Sequence, residues 1–154
     1  MIKLLEKFFP KKDVWDLERF VKAQKKDFRT ALREIRNNSQ QTHWIWYVFP
    51  QQKGLGHSAF SNYYGISCYE EARAYIKHKR LARRLRKVSE ILLKKDSING
   101  IFNELNLMKV KSCMTLFEMV SPNDVFTQVL EKHFHGERCE ITIQNMSKAD
   151  VGWE

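Results

Sequence analysis

Residues 105–120 read LNLMKVKSCMTLFEMV, and this stretch decides the fold. Leu105, Leu107, Met108, Val110, Met114, Leu116, Phe117, Met119 and Val120 wind around nearly the whole circumference of a helix. A helix that is apolar on every side has to be covered on every side. The spacing therefore predicts one central buried helix at about 105–120, enclosed by other helices.

Those helices are expected on both flanks. Upstream, Leu81, Leu85, Val88 and Leu92 fall within a narrow arc, opposite Arg80, Arg83, Arg84, Arg86 and Lys87, which describes an amphipathic surface helix. Nearer the amino terminus, Val14, Leu17 and Val21 follow Asp13, and Phe28, Ala31, Leu32 and Ile35 follow Asp27. Each aspartate is a good N-cap, so two helices are expected, ending at Asn37-Asn38-Ser39. Downstream, Phe126, Val129, Leu130 and His133 share a face within 123–134, with Ser121-Pro122 as cap and first-turn proline. Gly54, Gly56 and Ser58 mark a loop feeding a short helix. Two stretches stay open between helix and strand. Residues 43–51, HWIWYVFPQ, are short, aromatic and partly β-branched, and Cys139, Ile141 and Ile143 alternate with polar neighbours. A lone strand pair is marginal, so a sheet has little support.

Composition sets the bounds. A chain of 154 residues, 43% apolar, can close one core without disulfide or metal staples, so a single all-α domain is expected over 13–154, with residues 1–12 as an arm or short helix. Charges interrupt every apolar run, which excludes a helical membrane span. The amino terminus lacks the unbroken apolar stretch of a secretory signal, and Cys68, Cys113 and Cys139 are an odd set without a Cys-x-x-Cys pair; both point to the cytoplasm. No cofactor or metal is expected. Gly54-Leu55-Gly56 lacks a phosphate-loop lysine and a dinucleotide context, and His133, His135 and Cys139 fall short of the four ligands of a structural zinc.

Between Arg73 and Lys95 stand ten Lys and Arg against the single acid Glu90, so this segment carries +9, the whole formal net charge of the chain. Solubility alone does not ask for such concentration. Arg80, Arg83, Arg84 and Lys87 are candidate contacts to nucleic acid or another phosphate surface.

Candidate ligand-binding residues come from two sets. Lys109, Ser112 and Thr115 recur every third position on the otherwise apolar helix, and buried polar groups need partners. An ammonium and two hydroxyls suit a phosphate or carboxylate; the alternative is hydroxyls bonded to helix carbonyls and a lysine reaching solvent or an acid. His43, Trp44, Trp46, Gln51 and Ser58 form the second set, aromatic walls with polar tips. The alternative there is a core corner in which His43 makes one structural bond. No Ser-His-Asp or Cys-His-Asn constellation can be assembled, so no catalytic residue is assigned.

Taken in order, these segments carry a resemblance. Asp16-Leu17-Glu18-Arg19-Phe20 with Ala23-Gln24, His43-Trp44-Ile45-Trp46 through Phe49-Pro50-Gln51, Gly54-Leu55-Gly56 with Ser58, Tyr64-Gly65-Ile66, Glu71-Ala72 with Tyr75 and His78, Leu81 with Arg84-Leu85, and Lys109 through Ser112 to Met114-Thr115-Leu116-Phe117 resemble domain-of-unknown-function family 1810, sometimes mislabelled calpastatin. The resemblance spans about residues 13–146. It implies an all-α fold, tips both open stretches toward helix, and implies no established activity. It also implies aspartate in place of Asn106, an acid in place of Cys139, and glycine in place of Asn38 and Asn103, so a catalytic carboxylate at either of the first two positions would be missing here.

Three functional readings follow. The first is a pocket for an anionic small molecule, of phosphate or nucleotide type, built from His43, Trp44, Gln51, Ser58, Lys109, Ser112 and Thr115, with enzymatic activity open. The second is nonspecific nucleic-acid or phosphate binding through the basic helix. The third is a helical protein-interaction module using Phe8 and Phe9 of the arm.

Overall fold

The computed structural model describes residues 12–147. Among them are eight helices and no strand: α1 Glu18–Arg36, α2 Ile45–Val48, α3 Ala59–Tyr63, α4 Tyr69–Lys77, α5 Lys79–Lys94, α6 Glu104–Val120, α7 Val125–His133 and α8 Glu140–Met146. Among the described residues, no helix is long and apolar enough to cross a membrane. The arm, apart from Lys12, lies outside the described residues.

Helix α6 is the centre. Its side chains from Val110 to Phe117, Lys111 apart, are buried, and α4, α7 and α8 pack against it. Burial does not extend to its first turn, where Leu105 and Met108 are 61% and 65% exposed because no element covers that end. Asn103 caps the helix, its side chain accepting from the Asn106 amide at 2.8 Å. Helix α5 turns Leu81, Ala82, Leu85, Val88, Ser89 and Leu92 inward and packs on α7 and α1, as its periodicity predicts.

The amino-terminal region departs from expectation. One helix replaces two, because Lys25 and Lys26 are good helix formers and nothing between Val21 and Phe28 breaks the backbone. Asp27 therefore sits within α1, where it accepts the Tyr47 hydroxyl. The N-cap position falls at Leu17 rather than Asp13, whose carboxylate instead lies ahead of the helix and accepts from the amides of Leu17 at 2.8 Å and Glu18 at 2.9 Å. Val14 stays in the preceding turn, 72% exposed. The helix ends at Asn37, and Asn38 takes a left-handed φ of 61°. At α7 the cap is Asp124, with Ser121 donating to its carboxylate at 2.8 Å, rather than Ser121 itself.

Both open stretches contain helix. Residues 45–48 make the single turn α2, after which Gln52 bridges Ile66: Ile66 N–H donates to the Gln51 carbonyl at 2.9 Å and Lys53 N–H to the Ile66 carbonyl at 2.8 Å. Gly65 makes that approach feasible, since a Cβ there would lie 2.6 Å from Lys53 Cα. The second stretch is α8, whose Thr142 and Met146 are buried.

A buried cation holds the irregular chain between α2 and α4. Arg19 donates to the carbonyls of Trp15, Asp16, Tyr63 and Gly65, and to Glu71 at 2.7 Å. Glu71 also accepts from the amide and hydroxyl of Ser67 at 2.9 and 2.7 Å. Both side chains of the ion pair are almost fully enclosed, at 7% and 3% exposure.

Candidate functional site

The polar stripe on α6 divides in two. Ser112 and Thr115 turn toward the last helix: Ser112 Oγ and Thr142 Oγ1 lie 2.8 Å apart, both buried, and Thr115 Oγ1 donates to the Lys111 carbonyl at 2.8 Å while accepting the Cys139 amide at 3.0 Å. A stripe repeating every third residue drifts around a helix of 3.6 residues per turn, so Lys109 leaves on another side. Its ammonium stands 5.1 Å from the centre of the Trp46 ring, making a cation–π contact. Partial burial lowers its pKa, and among the described residues it makes no ion pair or hydrogen bond.

Trp46 stands at one end of an aromatic ladder. Phe60 stacks on it at 5.1 Å and 27°, Tyr64 stacks on Phe60 at 6.3 Å and 11°, and Tyr63 meets Tyr64 edge-on at 4.8 Å. The exposed His43 lies 6.3 Å from Trp46, ring centre to ring centre. Phe60 and Tyr63 are 54% and 56% exposed, which is unusual for such large rings. Among the described residues, the Trp46 indole N–H, Gln51 Nε2 and Gln52 Oε1 are buried without a hydrogen-bond partner. Each orphaned group costs about 1–3 kcal/mol unless something pairs with it.

Trp44 belongs elsewhere. It is fully buried, and its indole donates to Glu34 Oε1 at 2.9 Å. Glu34 also accepts from the amides of Gln41 and Thr42 and from the Thr42 hydroxyl. Burial pushes its pKa up, but these bonds from Thr42, Gln41 and Trp44 outweigh it and hold the carboxylate at about 2. This anchor fixes the start of α2 and with it the direction of Trp46. Ser58 is likewise occupied, capping α3 by accepting from the Ser61 amide at 3.0 Å.

The structure brings Lys109 to the aromatic segment through Trp46, while Trp44, Ser58, Ser112 and Thr115 are engaged elsewhere. The alternation was readable, since residues two apart on a helical turn point to nearly opposite sides and only one of the two indoles can enter the core. Nothing in the sequence announced Phe60, Tyr63 or Gln52. Asn106, where the family pattern implies aspartate, donates to Gln40 at 2.8 Å. Cys139 is half-buried at the start of α8. His133, weighed as a metal ligand, has its Nε2 2.6 Å from the Leu92 carbonyl; burial lowers its pKa. No group of three metal-ligating side chains occurs among the described residues.

The basic helix also divides. Arg84 is half-buried, 3.4 Å from Gln24 Oε1, with its guanidinium over the Phe28 ring. Arg86 pairs with Asp124 at 2.9 Å. Five cations, Lys77, Lys79, Arg80, Arg83 and Lys87, face two adjoining grooves: an open one of about 760 Å³ lined by Lys77, Lys79, Arg83, Arg86, Lys87 and Glu90, and one of about 370 Å³ lined by Glu18, His78, Lys79, Arg80 and Arg83.

Comparison with known proteins agrees with this fold. The crystal structure of the conserved hypothetical protein Rv1873 from Mycobacterium tuberculosis is 36% identical in sequence, superposes with a TM-score of 0.85, and is covered completely by 89% of this chain. Curated proteins yield no match. The model of the family described as "Protein of unknown function (DUF1810)" matches residues 14–146, nearly the whole described chain, and this chain therefore belongs to that family.

Proposed function

We propose that the Trp46–Lys109 patch binds a flat, anionic small molecule of phosphate or nucleotide type. The observation that carries the reading is half-buried Lys109, its ammonium poised over Trp46 and in no ion pair among the described residues. A desolvated cation gains more from an incoming anion than one already paired or fully hydrated. Phe60 and Tyr63 leave about half of their surface exposed and add apolar area against which a flat molecule packs. The indole N–H of Trp46 supplies a donor whose present lack of a partner is a cost that a ligand oxygen, replacing what now covers it, would remove. His43 at the rim is a candidate acid or base, with no catalytic partner assigned to it. Gln51, whose buried Nε2 has no hydrogen-bond partner among the described residues, is a further candidate donor. Ser112, Thr115, Ser58 and Trp44 serve as framework around it.

Titration with AMP, adenosine and pyrophosphate, followed by thermal shift and tryptophan fluorescence, tests the reading. AMP is expected to stabilise the protein and quench its fluorescence, with about 2.7 kcal/mol added at a hundredfold excess over Kd. Lys109→Met should weaken AMP at least tenfold while leaving adenosine little changed. A protein indifferent to all three, or an AMP response that survives Lys109→Met intact, removes the proposal.

A further inference from the structure

Helix α5 carries a second feature, apart from the Trp46–Lys109 patch. Once Arg84 is withdrawn onto Phe28 and Arg86 onto Asp124, the cations Lys77, Lys79, Arg80, Arg83 and Lys87 remain along the two adjoining grooves, with no ion pair among the described residues. Glu90 stands in one groove and Glu18 in the other, so positive charge predominates in both. Like charges gathered in one channel raise the local potential and attract an extended polyanion.

We infer that this face binds the sugar–phosphate backbone of duplex nucleic acid without reading its sequence. From Lys79 to Lys87 the helix rises about 12 Å, over which one strand of a duplex presents three or four phosphates. The spacing fits a backbone better than a single bound phosphate, which would leave most of these cations unused. The large exposed apolar side chains among the described residues, Val14, Phe60, Tyr63, Leu105, Met108 and Ile141, all lie off α5. Apart from the half-buried His78, the face thus lacks rings to stack on unpaired bases, and it lacks an apolar wedge to enter a bilayer and the aromatic anchors of a protein interface. What it offers is charge at regular intervals. None of the five cations belongs to the Trp46–Lys109 patch, so the two sites stand or fall separately.

The test is fluorescence anisotropy with a labelled DNA duplex of about 20 base pairs. With three or four phosphates neutralised, log K should fall against log salt with a slope of about −3, so affinity drops roughly 60-fold between 50 and 200 mM salt. Arg80→Glu, Arg83→Glu and Lys87→Glu together should abolish binding, and the corresponding glutamine triple should weaken it strongly while placing no new charge on the helix. Reversing exposed Arg29, Arg33 and Lys53 instead, or making Lys109→Met, should leave most of it. The inference is overturned by absence of binding at low salt, by a slope shallower than about −2, by a charge-reversed triple that binds like the wild type, or by the control triple losing as much. Preference for single-stranded DNA, for polyglutamate or for phosphatidylserine vesicles over the duplex overturns it as well.

Discussion

Replacing Glu34 with glutamine removes a charge without changing shape, and the structure says what that charge is worth. Glu34 Oε1 accepts from the amides of Gln41 and Thr42 at 2.7 and 2.9 Å and from the Trp44 indole at 2.9 Å, while Oε2 accepts the Thr42 hydroxyl at 2.5 Å. Glutamine keeps one carbonyl oxygen for the first three donors, and the Thr42 hydroxyl can rotate to accept from the new amide. The loss is therefore the charge assistance, not the bonds. A carboxylate held at about 2 against an ordinary value of 4.5 corresponds to about 3 kcal/mol; discounted for water beside the exposed Gln41 and Thr42, about 2 kcal/mol is expected. The sign follows from the depressed value. The contribution is complete above 4.5 and disappears as pH falls from there toward 2. Urea unfolding of wild type and Glu34→Gln at several pH values measures it: a gap of about 2 kcal/mol near neutrality should close toward acid pH. A gap that stays constant with pH, or one below about 0.5 kcal/mol near neutrality, would refute the assignment of Glu34 as the anchor of α2.

Two further perturbations probe the framework. Glu71→Ala leaves the Arg19 guanidinium buried without its acid and should cost about 3–5 kcal/mol in denaturant unfolding; a loss under about 1 kcal/mol would mean that the ion pair is not desolvated as its enclosure implies. Ser112→Ala and Thr142→Val each strand the other hydroxyl and should each cost about 1–3 kcal/mol, with the double variant costing less than their sum. Strict additivity would show that the two hydroxyls do not depend on each other.

The helices that were readable in advance are those whose hydrophobic pattern reflects the surrounding fold. Leu81, Leu85, Val88 and Leu92 gave α5 its facing, and the apolar circumference of 105–120 marked α6 as central. Boundaries were less readable where local and tertiary demands compete. Asp27 looked like a cap because aspartate favours that place, but the continuous helix around it recruits its carboxylate for Tyr47 instead. The exposed first turn of α6 was hidden because composition reports how apolar a segment is, not which neighbours stop short of it. Site residues followed the same division. As candidates, Lys109 and the aromatic segment were singled out by their chemical types, whereas the partnership of Lys109 with Trp46, and that of Ser112 with Thr142, joins segments far apart in the chain and leaves no local pattern.

Arg19 has a consequence beyond its ion pair. Tyr63 is the last residue of α3 and the chain then runs outside any helix through Gly65; a backbone leaving a helix in this way usually relies on a neighbouring strand to occupy its carbonyl oxygens. Here one planar side chain reaches from the foot of the first long helix and satisfies Tyr63 and Gly65 together with Trp15 and Asp16. A lysine at this point would bring the same charge but only three hydrogens, arranged as a cone rather than a fork. The protein can do without a sheet across this gap because a guanidinium has enough correctly aimed hydrogens to stand in for one.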